Sequence, residues 1–274
     1  MTFLQAIVLG IVQGLTEFLP VSSSAHLVIV PFLLGWQIPA EQVFPFDVLV
    51  QLGTLVAVIV YFWQDLWTII KAFVTGLLRL KPFAEAQSRL GWYLILATLP
   101  AVVFGVLVKD EVEAAFSSVS LTAGFLILTA VFLLLAEYYG RRARTLATIT
   151  WLDALIIGLF QALSIFPGVS RSGSTITGGM LRQFDRFAAA RFSFLMSIPV
   201  MLGAGALELV DLLQTPTWMS FWPLIAVGFA AAAVVGYLSI RWMLRFVTHH
   251  SLRSVAVYCC AIGVLTLVVY FLTL

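Results

Sequence analysis

Charge is what this chain has least of. Asp, Glu, Lys and Arg make up only 10% of its 274 residues, against 62% hydrophobic, where a soluble domain carries roughly 25% charged residues. A single water-soluble core is excluded, because too little polar surface is available to cover it. Cysteine is scarce as well. Cys259 and Cys260 are adjacent in the last apolar run, and helix neighbours point in different directions, so no disulfide framework is expected. Walker, Rossmann, HExxH and paired CxxC signatures are absent, as is a basic patch interleaved with aromatics, so no nucleic-acid partner is expected. The N-terminal apolar run lacks a basic leader and runs directly into a polar motif, so no cleavable signal peptide is expected.

What the chain has is length of apolar run. Six stretches suffice to span a hydrocarbon core: Phe46–Trp63, Gly91–Val108, Ser120–Glu137, Phe192–Leu212, Trp218–Ile240 and Leu252–Leu274, each about 18 or more mostly apolar residues. Trp63, Trp92, Trp151, Trp218 and Trp242 mark ends of apolar runs, as interfacial belts do. Two further regions are interrupted. Thr2–Val30 contains Gln13, Glu17, Pro20 and Ser22–Ser24; Trp151–Met180 contains Gln161, Pro167, Gly168, Ser170 and Arg171. Each reads as two half-length helices around a polar break, a re-entrant hairpin buried in protein or lining a wet cavity.

The interrupted regions are copies of each other. An offset of 148 aligns Gly10 with Gly158, Gln13 with Gln161, Leu15 with Leu163 and Phe18 with Phe166. It also aligns Val21 with Val169, Ser22 with Ser170 and Ser24 with Ser172. Seven identities in 15 ungapped positions indicate a duplication within a single membrane domain, repeat 1 covering about 1–140 and repeat 2 about 150–274. Three spans follow each hairpin, so the second copy enters the membrane inverted. The basic residues agree: thirteen of fifteen (Lys71, Arg79, Lys81, Arg89, Arg141, Arg142, Arg144, Arg182, Arg186, Arg191, Arg241, Arg245 and Arg253) fall on one side, the cytoplasmic one. Only Lys109, among Asp110, Glu111 and Glu113, falls opposite. The expected fold is an all-α polytopic membrane protein with inverted-topology repeats, each a re-entrant hairpin plus three transmembrane helices. Both termini then lie outside the cytoplasm.

The breaks carry the chemistry. In QGLTEFLPVSSSAH, Gln13 and Glu17 share a helix face. Pro20 stops the helix and leaves Ser22, Ser23 and Ser24 to offer hydroxyls and amides, while His26 opens the returning half-helix. Isolated in hydrocarbon, Glu17 would cost ~2.5–3.5 kcal/mol on insertion scales, so it needs a partner. In PGVSRSGST, Arg171 stands among Ser170, Ser172, Ser174 and Thr175 after a Pro-Gly break. A guanidinium among hydroxyls at a helix N-terminus is an anion trap that forks onto phosphate oxygens; pairing with Glu17 across the repeats is the structural alternative. Glu17, Ser23, His26 and Arg171 together supply acid/base groups, a nucleophile and a clamp, which suits phosphoryl transfer.

At these residues the sequence resembles the undecaprenyl-diphosphate phosphatase family, the bacitracin-resistance type called BacA or UppP. The resemblance is carried by EFLPVSSSAH at Glu17–His26, FDVLVQLGT at Phe46–Thr54 and PGVSRSGSTITGG at Pro167–Gly179. It implies an integral membrane phosphatase that hydrolyses undecaprenyl diphosphate to the monophosphate carrier reused in cell-wall synthesis, assisted by a divalent cation, Mg2+ or Ca2+. It implies catalytic roles for Glu17, Ser23, His26 and Arg171, and substrate contacts for Gln13, Ser22, Ser24, Ser170, Ser172 and Thr175. Glu17 is the expected metal ligand. The family writes Glu or Gln at the first position of its carboxylate pair; here it is Gln13, which leaves Glu17 as the one carboxylate of that motif.

The expected setting is the bacterial inner membrane, among membrane lipids, with a polyprenyl diphosphate as substrate and a site open to the periplasmic side. A homodimer is an admissible assembly. Inverted repeats and broken helices equally suit a transporter or lipid flippase, and Ser23 with His26 an intramembrane serine protease. A Glu/His/Ser set exceeds what anion binding requires, and a guanidinium clamp suits a peptide carbonyl poorly.

Overall fold

The computed structural model describes residues 1–116, 118–213 and 218–273, with backbone alone at 40, 41, 43–45, 109, 110, 113, 208, 211–213 and 218–220. Leu274, the end of the last expected span, and the side chains of Lys109, Asp110, Glu113 and Trp218 therefore lie outside the described residues. Among the described residues the chain is all-helical, without a β-strand. The helices are α1 (Phe3–Thr16), α2 (Ser23–Leu33), α3 (Ala40–Tyr61), α4 (Trp63–Leu78), α5 (Ala86–Leu107) and α6 (Lys109–Phe116). They continue with α7 (Val119–Tyr139), α8 (Trp151–Leu163), α9 (Arg171–Leu181), α10 (Arg186–Leu213), α11 (Trp218–His249) and α12 (Arg253–Thr273).

Among the described residues five helices are long and apolar enough to cross a membrane, and a bent pair, α3 with α4, makes up to six. Large apolar side chains such as Val60, Val103, Leu107, Val234, Leu238 and Val257 are exposed on their outer faces. An apolar surface of that extent is tolerated where the solvent is hydrocarbon. Inside the bundle α1 packs along α11, α8 along α5, α7 along α12, and α3 against both α10 and α11. Glycines permit the closest of these approaches. A Cβ at Gly10 would lie 2.4 Å from the Gly228 carbonyl oxygen, and one at the aligned Gly158 would lie 2.6 Å from that of Ala97.

The two interrupted regions are helix–break–helix units built alike. Capping boxes start both first helices, Thr2 with Gln5 on α1 and Thr150 with Asp153 on α8. α1 ends at Thr16 because Pro20, four residues on, has no N–H for the Thr16 carbonyl. The second helices are capped by aligned serines: Ser22 Oγ accepts the Ala25 amide at 3.3 Å, and Ser170 Oγ accepts that of Gly173 at 3.0 Å. Tight turns lead into both caps. Ser22 itself has φ +68°. Gly168 has φ +103°, and a Cβ there would meet the Thr122 carbonyl at 2.3 Å.

The segment after Trp63, outside the expected spans, is the helix α4, turned 78° from α3. Its apolar residues do not all fit the core: Ile69 and Ala72 are buried, while Trp63, Trp67, Ile70 and Val74 are exposed, a two-faced pattern that favours a separate helix. Arg89, Arg186, Arg191, Arg241 and Arg245, outside the expected spans, lie on helices, because α5 and α10 begin earlier and α11 ends later than the apolar runs. The returning helix opens at Ser23, with His26 one turn in.

Outside the two breaks, and among the described residues, four basic residues are tied to buried carboxylates. Asp153 accepts from Arg144 and Arg182, both at 2.7 Å. Glu137 accepts from Arg142 at 3.0 Å, Arg186 at 2.6 Å and the Leu252 amide at 2.9 Å. These two knots fasten the segment after α7 to α8 and α9, and the end of α7 to α10 and the start of α12.

Candidate active site

Glu17 is the point where the two broken units meet. It caps the C-terminus of α1, its amide bonded to the Gln13 carbonyl, and it is only 6% exposed. One carboxylate oxygen, Oε1, accepts from the Arg171 guanidinium of the second unit. The other, Oε2, accepts from Ser23 Oγ at 2.6 Å and Gln13 Nε2 at 2.7 Å. These three donors together hold a carboxylate that hydrocarbon would otherwise reject. Ser23 and Arg171 are partly exposed while Gln13 and Glu17 are buried, so the hydroxyl and the guanidinium are the members that an incoming ligand meets first.

Arg171 is the first residue of α9, where backbone amides and the positive end of the helix dipole favour an anion. Its Nη2 also contacts Met201 Sδ of α10 at 3.4 Å. Thr175 is turned inward: its hydroxyl lies 2.8 Å from the Arg171 carbonyl and 2.6 Å from Ser193 Oγ. Ser172 donates to the Leu19 carbonyl in the opposite break at 3.0 Å, a second bond between the units. Ser22 and Ser170 act as helix caps, and each stands 3.2 Å from the next serine hydroxyl but one, Ser24 and Ser172. The Ser170 amide is occupied by Thr129 Oγ1 of α7 at 2.9 Å.

His26 does not join this group. Nδ1 lies 2.8 Å from the Ser22 carbonyl and Nε2 lies 2.8 Å from the Tyr258 hydroxyl of α12. A carbonyl only accepts, so Nδ1 carries the proton, while Nε2 pairs with the Tyr258 hydroxyl. The planes of the two rings are nearly parallel, with an interplanar angle of 4°. Among the described residues no hydrogen bond joins His26 to Ser23 or Glu17. The geometry thus places Glu17, and not His26, on the Ser23 hydroxyl.

Sequence reasoning missed three polar neighbours. Thr54 of α3 lies 3.4 Å from Gln13 Nε2. Further along α3, Asp47 is 1% exposed and, among the described residues, accepts only from Gln51 Nε2 at 3.4 Å; a lone carboxylate in an apolar span is itself a signal. Tyr258 gave none, since an aromatic in a lipid-facing helix is ordinary. Cys259 is buried with Sγ 3.6 Å from the Pro20 carbonyl, Cys260 is exposed, and neither is in a disulfide.

Among the described residues no group of three or more His, Cys, Asp and Glu forms a metal cage. The oxygen donors around Glu17 fit a hard cation of the Mg2+ or Ca2+ kind, which binds through one or two carboxylates and completes its shell with water or substrate phosphates.

The sequence model of the family described as Bacitracin resistance protein BacA matches residues 6–265. An undecaprenyl-diphosphatase of Thermomicrobium roseum is 46% identical, over 97% of this chain and 98% of its own length. Relatives of the same name from Chlorobium phaeovibrioides and Myxococcus xanthus are each 44% identical, over 97% and 98% of this chain and 96% and 89% of theirs.

The contact between Glu17 and Arg171 has a measurable consequence. Glu17→Leu leaves a mostly buried guanidinium without its anion and should cost on the order of 3 kcal/mol in unfolding free energy, read in detergent by thermal or denaturant melting. Adding Arg171→Met should recover most of that loss, because a pair replaced by apolar groups is often neutral. Additive losses in the double variant would show that the two side chains do not depend on each other.

Proposed function

The chain belongs to the bacitracin resistance protein BacA family, and from that premise we propose that its polar centre hydrolyses undecaprenyl diphosphate to undecaprenyl monophosphate and inorganic phosphate. The observation that carries the reading is the shared carboxylate: Glu17 bonds Ser23 Oγ at 2.6 Å and Arg171 at the same time. A site that only bound an anion for transport would gain nothing from a hydroxyl held on a buried carboxylate. Relatives named as diphosphatases support the hydrolytic reading over the transporter.

In the proposed mechanism Ser23 Oγ attacks the terminal phosphorus and gives its proton to Glu17. The bond to the bridging oxygen breaks, and the lipid monophosphate leaves. Water then cleaves the phosphoserine, releasing inorganic phosphate. A hydroxyl is a weak nucleophile until a neighbouring base takes its proton, and Glu17 is the base in contact. Arg171 exchanges part of its contact with Glu17 for the diphosphate oxygens, where its planar fork matches phosphate geometry. Ser22 and Ser170 hold the two breaks open, Ser172 bridges them, and Gln13 steadies Glu17. Thr175 fixes the first turn of α9. His26, pinned between Ser22 and Tyr258, sets the geometry of the first break. A divalent cation held through Glu17 would neutralise charge on the diphosphate.

The chain is a multi-pass bacterial membrane protein, and for its topology we infer an inverted repeat with re-entrant helices. The offset of 148, the aligned capping residues and the paired packing of α1 on α11 and α8 on α5 support it. Both termini then face the periplasm, and the diphosphate arrives from that leaflet. Reporter fusions at the C-terminal end and in the Arg141–Arg144 loop should report opposite sides; a cytoplasmic signal from the C-terminal end would sink the inverted arrangement.

The function is tested by phosphate release from undecaprenyl diphosphate in detergent, where there are no two sides to transport between. Wild-type protein should release phosphate. Ser23→Ala should lose several orders of magnitude; a loss of only about tenfold, the ~1.4 kcal/mol of one hydrogen bond, would reduce Ser23 to a phosphate ligand. Arg171→Lys should be severely impaired although charge is kept. Near-wild-type turnover in that variant would remove Arg171 from the clamp.

A further inference from the structure

The exposed faces of α4 play no part in the mechanism above. The helix has 16 residues, fewer than the ~20 that a span requires, and its direction follows from its neighbours. α3 runs beside α11. A Cβ at Gly228 would meet Phe46 at 2.8 Å and Val50 at 2.9 Å, and one at Gly236 would meet Thr54 at 3.1 Å and Ala57 at 3.4 Å. These contacts climb both helices in the same direction and at the same pace, so the two are nearly parallel. α11 is long and apolar enough to cross a membrane. Because α4 turns 78° from α3, it lies nearly at right angles to a spanning helix, in the membrane plane.

Its depth can be read from the same neighbour. Tyr61, the last residue of α3, packs on Tyr237 of α11 with ring centroids 5.7 Å apart. One turn further on, α11 exposes Arg241, Trp242 and Arg245, residue types that mark the water interface. α4 therefore starts where hydrocarbon gives way to headgroups, and its residues sort into three faces. One is held by the bundle: Ile69 and Ala72 are buried, Phe73 packs on Trp92 of α5, and Asp65 pairs with Arg191 of α10 at 2.7 Å. Trp63, Trp67, Ile70, Val74 and Leu78, at i, i+4, i+7, i+11 and i+15, form an exposed apolar stripe. Beside it Gln64, Thr68 and Lys71, at i, i+4 and i+7, form an exposed polar one. Hydrocarbon all round would penalise the second stripe, and water all round would penalise the first; an interface suits both. Lys71, Arg79 and Lys81 are exposed, and among the described residues none of the three is in an ion pair. Anions available to cations at headgroup level are lipid phosphates.

We propose that α4 lies flat in the interface of one leaflet and docks there on anionic phospholipids. Its apolar stripe enters the acyl chains, its polar stripe faces water, and Lys71, Arg79 and Lys81 hold the headgroup phosphates. The excess of basic residues on this side makes the leaflet the cytoplasmic one. The surface is independent of the catalytic reading.

The test places the full-length protein in vesicles of phosphatidylcholine and phosphatidylglycerol. Nitroxide labels are attached at Trp67→Cys, Val74→Cys and Leu78→Cys, each with Cys260→Ser to remove the exposed native thiol. Collision rates with oxygen and with a water-soluble nickel chelate give their depths. Positions 67 and 78 are about 16 Å apart along a helix, yet all three labels should report one shallow depth to within a few ångströms. A label at Thr68→Cys should meet the chelate several-fold more often than the one at 67. Depths at 67 and 78 that differ by most of the helix length would make α4 half of a broken span and overturn the proposal. Lipid charge is tested with a fluorophore at Leu78→Cys, quenched on contact by phosphatidylglycerol or phosphatidylcholine carrying a nitroxide on one acyl chain, at equal mole fractions. Phosphatidylglycerol should quench more strongly, by roughly twofold, and the excess should vanish when Lys71→Gln, Arg79→Gln and Lys81→Gln are combined. Equal quenching by the two lipids without those substitutions would overturn the docking, as would an excess that survives them.

Discussion

A carboxylate buried inside an apolar helical bundle has to find donors, and Glu17 finds three: Gln13 from its own helix, Ser23 from the far side of its own break, and Arg171 from the other unit. Much of the centre follows from this requirement. The first break must bring Ser23 back within 2.6 Å of a residue six positions earlier, which straight helix does not do. The second break must deliver a guanidinium at the start of a helix to the same point. Two broken helices are therefore needed, each with a proline nearby to end it and a serine to cap its return. Breaking helices in an apolar interior exposes backbone donors and acceptors. Ser22, Ser170, Ser172 and Thr129 answer that cost with hydrogen bonds to amides and carbonyls.

The same pair sets the division of labour between buried and accessible groups. Glu17 and Gln13 are sealed, whereas Ser23 and Arg171 keep some exposure. In the proposed mechanism an approaching anion meets the hydroxyl and the guanidinium, and in drawing on Arg171 it would loosen the bond that neutralises Glu17. The carboxylate would then remain bonded to the Ser23 hydroxyl, the group that the proposal makes the nucleophile. That coupling is local, and it needs no moving domain. Away from the centre the bundle is held by features of a different kind: glycine contacts such as Gly10 on Gly228, and the knots of Asp153 and Glu137 with their arginines.

Much of this was legible in the chain before any coordinates. Apolar runs of spanning length set the helices, and Pro20 and the Pro167–Gly168 pair marked the breaks. Glu17 and Arg171 stood out because charge is so rare here that each instance demands a reason. Three things were not legible. The turn at Phe62 was hidden because α4 is nearly as apolar as a span, and only its placement distinguishes it. The separation of His26 from Ser23 depends on which way an imidazole in the first turn of α2 points, and a three-residue spacing leaves that open. Tyr258, on a helix more than 200 residues away, fixes it. Asp47 was in view within FDVLVQLGT but passed as part of a span, because its meaning lies in the partner it lacks, and a sequence does not display missing partners.

The account stands or falls on Ser23 as the atom that takes the phosphoryl group from its substrate, with Glu17 removing its proton. Rapid quenching of wild-type protein with undecaprenyl diphosphate labelled in its terminal phosphate, followed by peptide mapping, tests this directly. Label bound covalently to Ser23 at early times, appearing before free phosphate and decaying as it forms, is the result expected. Free labelled phosphate that accumulates from the first time points, with no label on the protein at any of them, would contradict it and assign the attack to water.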